Sequence, residues 1–135
     1  MRLSGGCACG AIRYTFEGEP LAALNCHCRD CQRESGSGFE PVLIVPFAGF
    51  AVARGKPRHF TVIADSGEPA TRNFCGECGS PLFGLPENGV SEIVTIRAGS
   101  LDDPSLFRPT RDIYVASAQP WDAMDPALQK IQKLR

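Results

Sequence analysis

The sequence lacks any long apolar run. Its opening, MRLSGGCACG, contains nothing resembling a signal peptide, and no later stretch approaches the length needed to span a bilayer, so a soluble, cytoplasmic protein with no membrane partner is expected. It also lacks an excess of either charge: 14 Lys and Arg face 15 Asp and Glu, for a formal net charge of -1 and a pI near 6.1. No basic field is available to hold a polyanion, which excludes nucleic acid as an expected partner. Histidine is scarce, with two residues. His27 lies between two cysteines and, on an extended chain, points to the face opposite them; His59, in KPRHF, reads as a surface or strand-edge residue. Neither is expected to act as a ligand or base. A chain of 135 residues, 43% of them hydrophobic, is enough for one core and hence one domain, 1–135.

Cysteine, by contrast, is plentiful. Seven residues without an export signal read as metal ligands rather than bridges, because a reducing compartment keeps thiols free and an odd number cannot pair fully. The segments between them read as β structure. AIRYTF places Ile12, Tyr14 and Phe16 at alternate positions, and HFTVIA and EIVTIRA interleave β-branched with polar residues, the pattern of half-buried strands. PVLIVPF suits a short strand covered on both faces and ended by Pro41 and Pro46. Turns are expected at Gly18, Arg54, Asp65 and Pro86, the last in PENG. One helix is expected, at the C-terminus: in DPALQKIQKLR, Asp125 reads as an N-cap, Pro126 as its first turn, and Leu128, Ile131 and Leu134 recur at helical spacing.

Spacing then groups the thiols. Residues i and i+2 of a strand share a face, so Cys7 with Cys9, and Cys26 with Cys28, can each present two sulfurs to one ion, while Cys75 and Cys78 form a CxxC turn flanked by Gly76 and Gly79. GGCACG and FCGECGS are both glycine-rich two-sulfur pieces, and together they supply a four-cysteine set of the kind that closes a structural zinc and couples metal affinity to folding. That leaves Cys26, Cys28 and Cys31, three ligands with a fourth position open, the arrangement of a zinc that does chemistry. Spacing alone equally allows Cys26 and Cys28 to join Cys75 and Cys78. Three thiolates on a divalent ion make a net anionic site and a weak Lewis acid, which disfavours water activation and favours an incoming thiol as fourth ligand. Thiol addition to a small aldehyde is the reaction class that fits. A zinc deaminase needs HxE or CxE followed by PCxxC; here His27 and Cys28 follow Cys26, and Phe74 precedes Cys75.

The ordered series GGCACGAIRY, CHCRDCQRESGSGF, FCGECGSPLF and RPTRDIYVASAQPW resembles the glutathione-dependent formaldehyde-activating enzyme family, also called the centromere protein V domain family, from Cys7 to Trp121. The resemblance implies a tent-like arrangement of antiparallel β sheets stapled by a zinc on four cysteines. It implies one structural zinc on Cys7, Cys9, Cys75 and Cys78 and a second, catalytic and labile one on Cys26, Cys28 and Cys31. The implied activity is carbon–sulfur lyase chemistry on S-hydroxymethylglutathione, with glutathione and formaldehyde as small-molecule partners. The chain departs from the family where a His often precedes the aromatic stretch near the end and a Lys precedes the final Pro-Trp: Asp112 and Ala118 stand there. A glutathione site also requires cations, and Arg29 and Arg33, with Ser37 and Gly38, are the candidates for substrate contact. A non-catalytic zinc module and a thiol redox or metal-buffering protein remain as alternative readings, and edge strands leave room for a homodimer.

Overall fold

The computed structural model describes residues 1–86 and 92–133. Among these residues, eleven strands and one α-helix follow in the order β1 (Arg2–Gly6), β2 (Arg13–Glu17), β3 (Ala22–Cys26), α1 (Arg29–Ser35), β4 (Glu40–Pro46), β5 (Phe50–Arg54), β6 (Arg58–Ile63), β7 (Pro69–Phe74), β8 (Pro81–Pro86), β9 (Ile93–Arg97), β10 (Arg111–Ile113) and β11 (Gln129–Ile131). They form a three-stranded antiparallel sheet, β1-β2-β5, and an eight-stranded sheet in the order β11-β10-β3-β4-β9-β8-β7-β6. The large sheet is antiparallel throughout except that β10 runs parallel to both β3 and β11. The expected mainly β architecture of antiparallel sheets is therefore present.

Period-two alternation sorts the side chains into layers. Ile12, Tyr14 and Phe16 are all buried, as their spacing predicts, and with Leu3 they pack on Leu43, Val45, Phe83, Val94 and Ile96 from one face of the large sheet. Phe50 and Phe83 meet edge to face at 4.8 Å in this core. Each such aromatic or aliphatic side chain contributes about 1.5–3 kcal/mol on burial. The opposite face of the sheet carries Leu24, Val42 and Ile113, which form a second cluster with Tyr114 and with Cys26, Cys28 and Cys31 beneath α1. β4 is covered on both faces, as expected. Pro41 and Pro46 sit within its ladder, opposite Asn25 and Ile93, at the two ends of the strand.

Two expectations need correction. The C-terminal helix does not form: Asp125 Oδ1 accepts from Ala127 N at 2.8 Å in a turn, and Gln129–Ile131 then extends as β11 alongside β10. An isolated helix of nine or so residues is marginal in water, whereas the free edge of β10 offers a ladder, and Lys130 can reach Asp112 from it, 2.9 Å from Nζ to Oδ2. Leu134 lies outside the described residues, as does the PENG turn beyond Pro86. HFTVIA is a strand but not half-buried, because β6 ends the large sheet and leaves Phe60 64% exposed.

Candidate metal centres and the adjoining cavity

The helix that sequence reading missed is the one that builds the second thiol cluster. α1 spans only seven residues. Its N-cap is Cys28, whose sulfur accepts from Cys31 N at 3.3 Å, and it stops at Gly36, which takes the left-handed conformation (φ 66°) and donates to Gln32 O at 2.9 Å. Cys26 ends β3, Cys28 caps the helix and Cys31 lies on its first turn, so strand, cap and helix each supply one sulfur. The same-face strand argument for Cys26 and Cys28 is thus replaced by a strand-to-helix corner. All three thiols are buried, and their sulfurs lie within 4.8 Å of one another.

Cys7, Cys9, Cys75 and Cys78 form the other group, again with all sulfurs within 4.8 Å of one another. Here too a turn replaces the expected strand, for Cys7 follows β1 and donates its backbone N–H to Ile12 O at 3.2 Å. Cys7 and Cys9 sulfurs are 3.6 Å apart, and Cys9 and Cys75 sulfurs 3.7 Å. A Zn–S bond of about 2.3 Å places tetrahedral sulfurs about 3.8 Å apart, so the donor set fits that ion. Backbone amides support the thiolates: Ile12 N donates to Cys7 at 3.2 Å and Glu77 N to Cys75 at 3.4 Å. Gly79 closes the CxxC turn at φ 80°. Gly76 serves differently, by close approach, since a Cβ there would lie 2.5 Å from Arg58 Cδ.

Within each cluster the thiols perturb one another. Hydrogen bonds from Cys26 and then Cys31 pull the Cys28 thiol down to about 3, while hydrogen bonding to Cys28 pushes Cys26 up to about 12 and Cys26 and Cys28 together push Cys31 up. One thiolate is thus held by two thiol protons, which a divalent cation would displace. In the four-sulfur group, the Ser80 hydroxyl holds Cys78 down at about 5.

A cavity of about 550 Å³ adjoins the three-thiol cluster. Its walls include Ala70, Gly84, Leu85, Ile93, Thr95 and Tyr114, and its charged residues are Asp65, Glu68 and Arg72. Tyr114 is the one non-glycine residue with positive φ (57°) among the described residues, a costly conformation for a bulky side chain and one that concentrates at functional sites. Arg72 forms an ion pair with Asp30 and lies 3.6 Å from Glu34 Oε1. Behind it, Arg97 Nε reaches Glu34 Oε1 at 2.8 Å and Glu40 Oε1 at 2.9 Å, with Nη1 donating to Thr95 O at 3.0 Å. These arginines tie α1 to the sheet. Sequence reading singled out neither of them, nor Glu68 or Tyr114, and it took Asp65 only as a turn residue.

The candidates for substrate contact lie elsewhere. Arg29, Arg33 and Ser37 surround a separate hollow with Gln32, Gln119 and Trp121, the last 69% exposed. Gly38 packs so closely on Trp121 and Asp122 that a Cβ would stand 3.0 Å from each. None of the four borders the cavity beside the thiols. Asp112 is buried against His27, and Ala118 offers no side-chain donor.

The chain is similar to several known proteins. Residues 2–117 match the sequence profile of the glutathione-dependent formaldehyde-activating enzyme family. A Halomonas elongata protein that bears that name provisionally is 30% identical over 120 residues, 85% of this chain and 74% of the relative. An Emericella nidulans protein with the same provisional name is 31% identical over 81 residues, 60% of this chain but only 40% of the relative's own length. The fold is that of a Rhodobacter sphaeroides protein of known crystal structure, with a TM-score of 0.59 at 22% identity over 78% of this chain and 96% of that one. With a profile match that takes in all seven cysteines, the chain belongs to the glutathione-dependent formaldehyde-activating enzyme family.

Proposed function

We propose that this chain is a carbon–sulfur lyase acting on a thiol–aldehyde adduct of the S-hydroxymethylglutathione type, in a single domain that holds two zinc ions. Cys7, Cys9, Cys75 and Cys78 hold the structural ion; Cys26, Cys28 and Cys31 hold the second. The observation that carries the reading is the shortfall in the second set. Three buried sulfurs converge at the wall of a cavity, and no His, Cys, Asp or Glu among the described residues completes the tetrahedron. A zinc ion held there would lower the pKa of a thiol that took its fourth position and keep that sulfur nucleophilic near neutral pH.

The reaction itself is a proton-neutral exchange. In cleavage, the C–S bond of R–S–CH2–OH breaks with its electron pair going to sulfur, the hydroxyl proton leaves as the C=O bond of formaldehyde forms, and sulfur gains a proton to become R–SH. Synthesis is the reverse. The chain's own contribution is to hold the adduct. Ala70, Leu85, Ile93 and Tyr114 exclude water from around the reacting carbon, and the Arg72–Asp30 pair fixes α1, and with it Cys31, against β7. The seven thiols serve only when reduced, which suits the cytoplasm. Exchange broadening of formaldehyde and S-hydroxymethyl thiol signals in NMR tests the proposal: broadening should grow with protein concentration, and a rate equal to a buffer-and-zinc control would remove it.

A further inference from the structure

We propose that Thr95 is a catalytic residue of the thiol–aldehyde exchange: its hydroxyl donates a hydrogen bond to the aldehyde oxygen, which is the hydroxymethyl oxygen of the adduct. The inference rests on the lyase reading above and adds to it the group that receives the oxygen. Thr95 lies on β9, in the middle of the large sheet, and is half-buried at the wall of the cavity that Cys26, Cys28 and Cys31 also line. Arg97 Nη1 donates both to Thr95 Oγ1, at 2.9 Å, and to Thr95 O, at 3.0 Å, so a single nitrogen of a buried guanidinium fixes the threonine side chain. A guanidinium can only donate. Oγ1 is therefore the acceptor in that bond, and its own proton has no acceptor among the described residues.

Gly84 keeps this hydroxyl open to the cavity. It pairs with Thr95 between β8 and β9 and borders the same space, and a Cβ there would lie 2.5 Å from Thr95 Oγ1. Arg97 in turn makes the hydroxyl a better donor, because the bond an O–H accepts polarises the one it gives. Glu34 and Glu40 hold Arg97 Nε at 2.8 and 2.9 Å, so the donor is set before substrate arrives. The reaction calls for such a group. In synthesis the C–S bond forms from the sulfur electron pair, the C=O π pair moves onto oxygen, and the proton that the thiol gave to water returns from water to that oxygen. Cleavage reverses each movement. Thr95 keeps its own proton throughout. The oxygen carries more negative charge in passage than in either the aldehyde or the adduct, so a fixed donor speeds both directions.

The test is the NMR exchange measurement on the zinc-loaded full chain with glutathione and formaldehyde, comparing wild type with Thr95→Val, Thr95→Ala and Thr95→Ser. Rates taken across substrate concentrations separate the saturating rate from KM. Metal content by elemental analysis, glutathione affinity by calorimetry and folding by circular dichroism are read on the same samples. Thr95→Val and Thr95→Ala should lower the saturating rate about a hundredfold, the scale of losing one oxyanion donor, with metal content and glutathione affinity within about twofold of wild type. Thr95→Ser keeps the hydroxyl and should retain at least about a third of the wild-type rate. A hydroxyl-free variant at the wild-type rate, or a serine variant as slow as the hydroxyl-free ones, would overturn the assignment and leave the lyase reading standing. So would unfolding or metal loss in both hydroxyl-free variants, since the hydroxyl would then serve only to hold Arg97. Wild type no faster than the buffer-and-zinc control would remove the lyase reading and this inference with it.

Discussion

His27 and Asp112 meet inside the protein, Nε2 to Oδ1 at 2.8 Å, with each residue about 1% exposed. The other ring nitrogen lies 2.6 Å from Asp122 Oδ2, and the second oxygen of Asp112 lies 2.9 Å from Lys130 Nζ. Asp112 Oδ1 also accepts from Asn25 Nδ2 at 3.3 Å, and Lys130 is the ion-pair partner of Asp112 Oδ2. The cluster also has a mechanical consequence. His27 is the residue between Cys26 and Cys28, so β10, β11 and the segment bearing Asp122 all fasten the corner from which two of the three sulfurs project.

Removing one member of a buried ionic group leaves its partners charged and unpaired. Asp112→Ala should therefore cost about 3 kcal/mol or more in urea unfolding at pH 7. It should also weaken zinc at the three-thiol cluster, read by chelator competition, while leaving the four-thiol cluster's affinity unchanged. A loss of less than about 0.5 kcal/mol, the scale of an ordinary surface substitution, would mean that the cluster carries no such load.

Glu40 gives a pH dependence of definite sign. Burial, reinforced by the hydrogen bond with Glu34, raises its carboxyl to about 9, against the pull of Arg97. The folded protein then holds a proton that the unfolded chain releases above its ordinary value of 4.5. Between those values the folded state binds more protons, so stability falls as pH rises. Glu40→Gln keeps a neutral group in place and removes that dependence. Between pH 6 and pH 8 the variant should gain at least about 1 kcal/mol on wild type, within the limit of about 1.4 kcal/mol per pH unit for one proton. Parallel stability curves from chemical unfolding across that range would contradict the assignment.

Gly84 makes room for Arg97. A Cβ at this position would lie 2.5 Å from Thr95 Oγ1 and 3.1 Å from Arg97 Nη2. Gly84→Ala must displace the threonine that fixes the guanidinium, and overpacking of this kind costs about 1–3 kcal/mol. A thermal shift within error of wild type would show that the strand moves aside freely.

Much of this was legible beforehand, and the exceptions have physical causes. Ile12, Tyr14 and Phe16 announced their strand because alternation of apolar residues is a local signal, and Cys75 and Cys78 announced a thiol-bearing turn through spacing and Gly79. α1 was invisible because seven residues with a cysteine cap carry no helical periodicity. The C-terminal helix failed for the opposite reason, a convincing local pattern overridden by the open edge of β10. Arg72 and Tyr114 reach the cavity only through strand register and a left-handed backbone, neither of which neighbouring residues disclose. Arg29 and Arg33 adjoin the thiols in sequence, yet helical geometry turns them to a different hollow.

The two thiol groups should respond differently to the loss of one sulfur. Cys75 is almost wholly buried, receives an amide hydrogen bond at 3.4 Å, and belongs to the main core beside Leu82 and Phe83. Its group joins the turn after β1 to the turn after β7, segments almost seventy residues apart, so a metal bound there would contribute its binding energy to folding. Cys31 belongs to a group whose three members fall within six residues, a loop too short for its closure to constrain the rest of the chain. Cys75→Ser should lose both ions and the cooperative unfolding transition. Cys31→Ser should keep one zinc per chain and a native circular dichroism spectrum while losing thiol binding. Elemental analysis of the purified variants decides the matter: a folded Cys75→Ser protein with a full complement of metal would reverse the roles assigned to the two groups.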